Sequence, residues 1–324
     1  MNFNLLISNE RDLRMWSRIK LTLLGVVMVA LVQPVLAMTF EFEKVTDQVY
    51  AYIGPLTNRT PDNLGLNNNI GLVLTTEGAV LIDSGAGIPS AKALEKAVKK
   101  VTDKSIVAVI NTGSQDHRWL GNGYFKKKGA TLYALSKTVE TQQEMGDGLV
   151  EKMTKVSDVF ASTQPVVARN PFRGDQAKFT IGDTQFELNY FGDAHFPGDA
   201  VLWLPKQQVL FSGDLIYVDR MLGVHPFSNV KSWQKAFHQA EKIPAQFIVP
   251  GHGQVSDWDR ARQDTGNYLD KLVTVMEQAS EEMMGVDDVV SDNKDWPEFK
   301  HLKHYDSWHK TILNRSFLQF EESM

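Results

Sequence analysis

The sequence predicts an α/β (α+β) fold in which two β-sheets pack face to face with helices on the outside. Strand-like runs and helical patterns occur in both halves of the chain, and this order favours a layered sandwich. Each half also contains a short run typical of a buried strand that leads to an acidic residue beside glycine or serine. The two runs are Leu81–Gly85 and Phe211–Asp214. No low-complexity tract, charge block or linker interrupts residues 38–324, which we therefore expect to form a single domain.

The elements of the first half follow from the spacing of their apolar residues. Alternating or continuous apolar runs of strand length predict β-structure, and apolar residues at helical spacing predict helices. The predicted strands are Gln48–Ile53, Gly71–Leu74, Ala79–Ile82, Ile106–Ile110 and Thr131–Leu135, and the predicted helices are Ser90–Val101, Arg118–Lys128 and Lys137–Val156.

The second half begins with turn signals that predict hairpins. Lys178–Tyr190 turns at Gly182-Asp183, and Ala200–Phe211 turns at Pro205–Gln208. A helix over Val230–Lys242, a strand over Gln246–Val249 and a long helix after Ser256 follow, and Ser256–Asp259 resembles a capping box. Trp308–Phe320 predicts a final helix in a C-terminal helical extension packed on the body.

Residues 1–37 have the pattern of a signal peptide. Arg18 and Lys20 precede an apolar run from Leu21 to Val35, and the small residue Ala37 offers a cleavage site. The run is shorter than the roughly twenty residues of a membrane span, so we expect no stable membrane insertion after cleavage, with an uncleaved anchor as the alternative. Met15 is an alternative start to Met1. These features predict a periplasmic or secreted protein.

The composition limits the classes of partner. The chain contains no cysteine, which excludes disulfides and thiolate metal ligands. Its formal net charge of −5 disfavours nucleic acid as a partner. The sequence therefore favours a small-molecule substrate.

Potential metal ligands follow the predicted strands. His117, His195, Asp214 and His252 each come shortly after a strand and near a glycine, and loops at strand ends commonly carry functional side chains. Imidazole and carboxylate ligands suit zinc or non-haem iron, and an open catalytic site needs about three of them. His225 follows Asp214 closely enough to line a cleft.

Together these motifs resemble those of the metallo-β-lactamase fold superfamily. They occur in the family's order over about residues 45–255: Leu-Ile-Asp83-Ser-Gly, the Asn111-Thr112 loop, Ala-His195-Phe-Pro-Gly, Phe-Ser-Gly-Asp214 and Pro-Gly-His252-Gly. The resemblance implies a four-layer αββα sandwich with a metal site along one edge of the sheets. It also implies that His195 binds a first metal, that His252 binds a second metal, and that the Asp214 carboxylate bridges the two metals. Asp83 is implied to brace the metal-binding loop.

The chain departs from the family's signature loop, His-x-His-x-Asp-His. A gapless alignment from Asn111-Thr112 to Gly121-Asn122 places Gly113, Gln115, His117 and Arg118 at its four defining positions. The first site then retains only His195, helped by the Gln115 carbonyl. The second site retains His117, Asp214 and His252, enough for one open site.

A shifted alignment matches Asp116-His117 to the family's final Asp-His pair. It places Thr112 and Ser114 at the first two histidine positions and completes the second site with Asp116, at the expense of two compensating slips in a tight loop. Both alignments keep His117, Asp214 and His252 and weaken the first site.

Two neighbouring residues have predicted catalytic roles. In the gapless alignment Asp116 is free to act as a general base. Arg118 cannot ligate a cation, but if it points inward it can pair with Asp214 or bind an anionic group of the substrate. If it points outward, it is a surface residue of the following helix.

These residues predict a periplasmic metallohydrolase with a single zinc, or alternatively iron. A metal-bound hydroxide would attack an ester, amide or lactam-type bond. A non-catalytic binding protein that has lost efficient metal chemistry is the main alternative, and an iron-dependent redox protein acting on sulfur substrates is a third.

Overall fold

The computed structural model describes residues 39–322; the predicted signal peptide lies outside the described residues. The strands are β1 (Glu43–Lys44), β2 (Val49–Tyr52), β3 (Ile70–Leu74), β4 (Ala79–Ile82), β5 (Ile106–Ile110), β6 (Thr131–Tyr133), β7 (Gln176–Ile181), β8 (Thr184–Asn189), β9 (Val201–Leu204), β10 (Val209–Tyr217) and β11 (Phe247–His252). They form one sheet of order β1-β2-β3-β4-β5-β6 and a second of order β11-β10-β9-β8-β7.

Helices cover the outer faces of both sheets. They are α1 (Ile88–Val101), α2 (Asp116–Trp119), α3 (Asn122–Lys127), α4 (Ser136–Val156), α5 (Val230–Ala240), α6 (Trp258–Ala261), α7 (Asn267–Glu281), α8 (Val286–Asp292) and α9 (Tyr305–Glu322). The Asn229 side chain caps α5 by accepting a hydrogen bond from Ser232 N, which satisfies one of the free donors of its first turn. Within residues 39–322, no helix is long and apolar enough to cross a membrane.

Three apolar clusters define the layers. Val73, Val80 and Ile110 of the first sheet pack against Leu202 and Phe211 of the second in one cluster between the sheets. A second cluster joins the outer face of the first sheet to α1 and α3, and a third joins the outer face of the second sheet to α5, α7 and α9. The predicted four-layer αββα sandwich is confirmed.

Parallel strand pairs bring the site residues to one edge. β4 and β5 run parallel, with Ile82 opposite Ile110, so Asp83 and the loop after Ile110 leave the sheet together. β10 and β11 are also parallel, with Phe211 opposite Val249. The loops that follow parallel strands meet at the carboxyl edge, where such folds carry their functional residues.

Several predicted boundaries are wrong. The predicted helix Arg118–Lys128 is two short helices, α2 and α3, because the chain turns where Gly121 donates to Gly85 O. β10 continues past Asp214 to Tyr217, so Asp214 lies within a strand. Asp257 rather than Ser256 caps the next helix by accepting from Arg260 N, and that long helix is divided by one π-helical segment.

Candidate functional site

The predicted site residues converge at the edge where the parallel strands end. The short helix α2 carries Asp116, His117 and Arg118, while Asp214 lies in β10 and His252 ends β11. These five side chains belong to residues that are at most 2% exposed, as is His195 in the loop after β8. The site is therefore an enclosed polar cluster.

Three of these residues form a group that could hold a metal ion. One potential ligand atom from each of His117, Asp214 and His252 lies within 4.8 Å of the others. Within the described part of the chain, this group includes neither Asp116 nor His195. The three grouped residues are those shared by both alignments.

Arg118 points into the interior and pairs with two carboxylates. Its Nη2 and Nε donate to Asp214 Oδ1 and Oδ2 at 2.5 and 3.2 Å, and its Nη1 donates to Asp83 Oδ2 at 2.9 Å. The carbonyls of Asn69 and Gly251 accept further bonds from the guanidinium at 3.3 and 3.2 Å. Of the two orientations left open by the sequence, Arg118 therefore has the inward one. Its fixed positive charge lies directly beside Asp214.

Asp83 braces the loop that follows β5. Its Oδ1 accepts from Thr112 N at 2.8 Å, and its Oδ2 accepts from the Thr112 hydroxyl at 2.7 Å. The same Oδ2 also binds Arg118. Asp83 thus fixes both the loop and the guanidinium, which is the bracing arrangement that the resemblance implied for this residue.

Asp214 is the centre of the cluster. His117 Nε2 lies 3.2 Å from Oδ2 and His252 Nε2 lies 3.3 Å from Oδ1. Burial opposes ionisation of Asp214, but the charge of Arg118 and the bond from His117 hold its pKa well below the usual range. Asp214 is therefore an ionised carboxylate in a buried setting.

Arg59 fixes the tautomer of His117. Its Nη2 lies 2.6 Å from His117 Nδ1, and because a guanidinium can only donate, Nδ1 is the acceptor. The proton is then on Nε2 and points to Asp214. Burial and the charge of Arg59 lower the pKa of His117 to about 3, so the ring is neutral at physiological pH.

The His252 ring has polar partners at both nitrogens. Its Nδ1 lies 2.8 Å from Asn67 O and 3.1 Å from Arg220 Nη1. Its Nε2 lies 3.3 Å from Asp214 Oδ1. Burial and the charge of Arg220 hold the pKa of His252 well below its usual range.

Gln115 occupies the space between His195 and Asp214. His195 Nδ1 lies 2.6 Å from Gly223 O and donates to it, so its Nε2 is an acceptor. The amide nitrogen of Gln115 therefore faces inward, 3.1 Å from His195 Nε2 and 2.9 Å from Asp214 Oδ2, while its oxygen accepts from Arg59 at 3.2 Å. The sequence analysis expected the Gln115 side-chain carbonyl to assist His195 at the first metal site. The geometry differs from this expectation, because the amide nitrogen faces His195.

Asp116 faces away from the metal-binding group. Its Oδ1 pairs with Arg59 Nη2 at 2.6 Å and its Oδ2 pairs with Lys152 at 3.2 Å. Burial opposes ionisation, but the charges of Arg59 and Lys152 lower the pKa of Asp116. This placement agrees with the gapless alignment, which has His117 rather than Asp116 at the family's aspartate position.

Several site residues were missed by the sequence analysis. Arg59, Arg220 and Lys152 lie in segments with no recognisable motif. The run Asn67-Asn68-Asn69 before β3 is a signal that could have been noticed: Asn67 O binds His252, and Asn69 Nδ2 donates to Pro250 O and Gly253 O at 2.9 and 2.7 Å. These bonds tie the His252 loop to the first half of the chain.

The donor set fits a divalent metal ion. His117 and His252 are neutral and Asp214 is ionised, the protonation states that metal ligands require. His252 Nε2 and Asp214 Oδ1 lie 3.3 Å apart, a separation at which both atoms could bind one zinc ion at ligand distances of about 2 Å. His117 fits once the proton on its Nε2 is removed or transferred to Nδ1.

Comparisons with known proteins agree with the fold. The family model of the metallo-beta-lactamase superfamily matches residues 64–252. A metallo-beta-lactamase type 2 from Elizabethkingia meningoseptica is 28% identical over 223 residues, covering 67% of this chain and 79% of that protein. The metallo-beta-lactamase IND-1 from Chryseobacterium indologenes is 28% identical over 186 residues, covering 56% and 70%.

Solved structures show the same architecture. A metallo-beta-lactamase from Pontibacter korlensis superposes with a TM-score of 0.56 at 22% identity, covering 71% of this chain and 99% of that chain. The metallo-beta-lactamase IND-7 superposes with a TM-score of 0.57 at 24% identity, covering 71% and 98%. At these identities the structures establish the fold, and the family model extends over more than half of the chain. The chain therefore belongs to the metallo-beta-lactamase superfamily.

Proposed function

We propose that the chain is a periplasmic hydrolase of a small molecule with an ester, amide or lactam-type bond, and that it uses one zinc ion held by His117, Asp214 and His252. The observation that carries this proposal is the convergence of these three side chains, with potential ligand atoms within 4.8 Å of one another. The relatives named metallo-beta-lactamase support hydrolysis.

The bound metal would supply Lewis acidity and lower the pKa of a water molecule. The chain's own residues would prepare the site for it. Arg118 supplies a fixed positive charge to Asp214, in place of the charge of a second metal ion. His195 presents an unprotonated Nε2 towards the Gln115 amide, and we assign to it the role of accepting a proton during the reaction.

Arg59 and Asp116 would act on the position of His117. Asp116 forms ion pairs with Arg59 and Lys152, one through each carboxylate oxygen, so neither oxygen is free to act on the metal-binding group. We therefore assign Asp116 to holding Arg59 rather than to general base catalysis. If His117 Nε2 were a metal ligand, the ring proton would lie on Nδ1 and the contact with Arg59 would have to loosen, because a neutral ring has only one proton to place.

A second candidate is a metal-free binding protein. One observation favours it: the Gln115 amide and the Arg118 guanidinium already donate to Asp214, and His117 donates to it as well. These bonds satisfy the carboxylate without a metal ion. Iron suits the same imidazole and carboxylate donors, so the metal measurement also tests the alternative redox activity.

Metal analysis of the purified protein tests the proposal. After reconstitution with zinc or ferrous iron, we expect near-stoichiometric zinc in the wild type and its loss in His117→Ala and His252→Ala. His195→Ala should retain the metal but lose turnover of ester, amide and lactam substrates, and His238→Ala, a surface histidine paired with Asp270, is the matched control. A wild-type protein that binds neither metal would contradict the hydrolase proposal and support the metal-free candidate; stoichiometric iron in preference to zinc would support the redox alternative.

N-terminal sequencing of the protein from a periplasmic extract tests cleavage after Ala37.

A further inference from the structure

A small cavity lies between the loop after β10 and the C-terminal helix α9. Its volume is about 220 Å³, and it is lined by Gly223, Val224, His225, Trp308, Thr311, Ile312 and Arg315. Pockets for drug-sized ligands measure about 300–1,000 Å³, so this cavity suits a smaller organic molecule. One wall belongs to α9, which lies beyond the residues matched by the family model.

The cavity adjoins the candidate site through Gly223 and His225. The Gly223 carbonyl accepts from His195 Nδ1 at 2.6 Å, and the rings of His195 and His225 have centroids 5.0 Å apart. A Cβ atom at position 223 would lie 3.2 Å from His195 Cε1. A molecule in the cavity would therefore be one residue away from His195, whose Nε2 lies 3.1 Å from the Gln115 amide nitrogen of the candidate site.

The cavity carries an unbalanced positive charge. Arg315 Nη1 donates to Val224 O at 2.6 Å, and within residues 39–322 no carboxylate pairs with Arg315. The guanidinium of Arg220, which does not line the cavity, lies 4.9 Å from the Trp308 indole centroid, and no carboxylate of the described chain pairs with it. A guanidinium without a carboxylate partner favours an anionic ligand that it can bind with two hydrogen bonds.

The other walls are apolar or aromatic. Val224 and Ile312 are buried, and the Trp308 indole and the His225 ring supply flat surfaces. Such walls favour an apolar ligand body, because its transfer from water is favourable. Polar contacts in a mostly apolar pocket then fix the orientation of the ligand.

We propose that this cavity binds a small carboxylate with a flat apolar body, with its carboxylate on Arg315. The cavity thereby selects the substrate of the neighbouring site. This inference deepens the proposed function by naming its substrate class, and for that catalytic meaning it rests on the proposed function. Binding itself requires no metal ion, so the two proposals can fail separately.

Calorimetric titration of the full chain, stripped of metal with a chelator, tests the proposal with benzoate as the probe and benzamide as its neutral analogue. We expect benzoate to bind at least about tenfold more tightly than benzamide, the effect of one charge-assisted hydrogen bond. Arg315→Gln should remove this preference. Thr311→Trp, a change at an exposed position of the cavity rim, should block both probes.

Lys310→Gln is the matched control, since Lys310 is an exposed cation of α9 that does not line the cavity. It should bind benzoate like the wild type. No benzoate binding by the wild type, equal binding of benzamide, or equal weakening by Lys310→Gln and Arg315→Gln would overturn the proposal. Undiminished binding in Thr311→Trp would also overturn it by placing the probe elsewhere. Benzoate binding in a protein that takes up no metal would sustain the carboxylate site but contradict both the proposed hydrolase and the role of the cavity in selecting its substrate.

Discussion

Replacing Arg59 by methionine should raise the affinity of the protein for zinc. Arg59 Nη2 donates to His117 Nδ1 at 2.6 Å and thereby keeps the proton on Nε2, the atom that faces Asp214. A hydrogen bond to a charged group contributes about 1.5–3 kcal/mol. If metal binding must break this bond, its removal strengthens binding by roughly 10- to 150-fold at 1.4 kcal/mol per factor of ten.

The affinity is measured by competition with a chromophoric zinc chelator at neutral pH. Lys152→Gln is the control, because it removes the other cation paired with Asp116 without touching His117. Unchanged zinc affinity in Arg59→Met would refute the tautomer argument. An equal gain in zinc affinity in Lys152→Gln would show that the loss of positive charge, and not the tautomer of His117, raises the affinity.

Other predictions concern stability. Arg118→Met should destabilise the fold by about 3–5 kcal/mol in chemical denaturation, because it leaves Asp214 and a second carboxylate buried without their cation; a loss below 1 kcal/mol would show that water replaces the guanidinium. Gly251→Ala should lower the thermal midpoint, since the added Cβ would lie 2.6 Å from both Arg118 Nη2 and Asp214 Oδ1, and an unchanged midpoint would contradict the close packing. Acid should destabilise the metal-free protein as the pH falls from about 7 towards 4: the pKa of His195 is lowered from 6.5 to about 4 by burial, so the unfolded state takes up the proton first. Urea midpoints across this range test that sign, and His195→Gln should show a shallower pH dependence.

The fold was largely predictable from local patterns. Strands such as Ala79–Ile82 and Ile106–Ile110 were predicted with their observed bounds because they are fully apolar runs with turn residues on both sides. The division of the predicted helix after Asp116 was not predictable, because it depends on the backbone contact between Gly121 and Gly85, far apart in the chain.

The candidate site was predictable only as a set of residue types. Motif order in the sequence indicated His117, Asp214 and His252, and the structure brings these three together. Whether Arg118 points inward is decided by Asp83 and Asp214, which approach it from two different sheets. No periodic pattern in the sequence predicts that these two carboxylates contact the same guanidinium.

The sequence by itself determined the layered fold and supplied the candidate ligand residues, because hydrophobic spacing and motif order are properties of the sequence alone. Only the tertiary structure decided which contacts those residues make. Arg59 sets the tautomer of His117, the Gln115 amide fills the space beside His195, and Arg118 neutralises Asp214. These contacts join residues from distant parts of the chain, and their energies depend on burial and distance, which exist only after the two sheets have packed together.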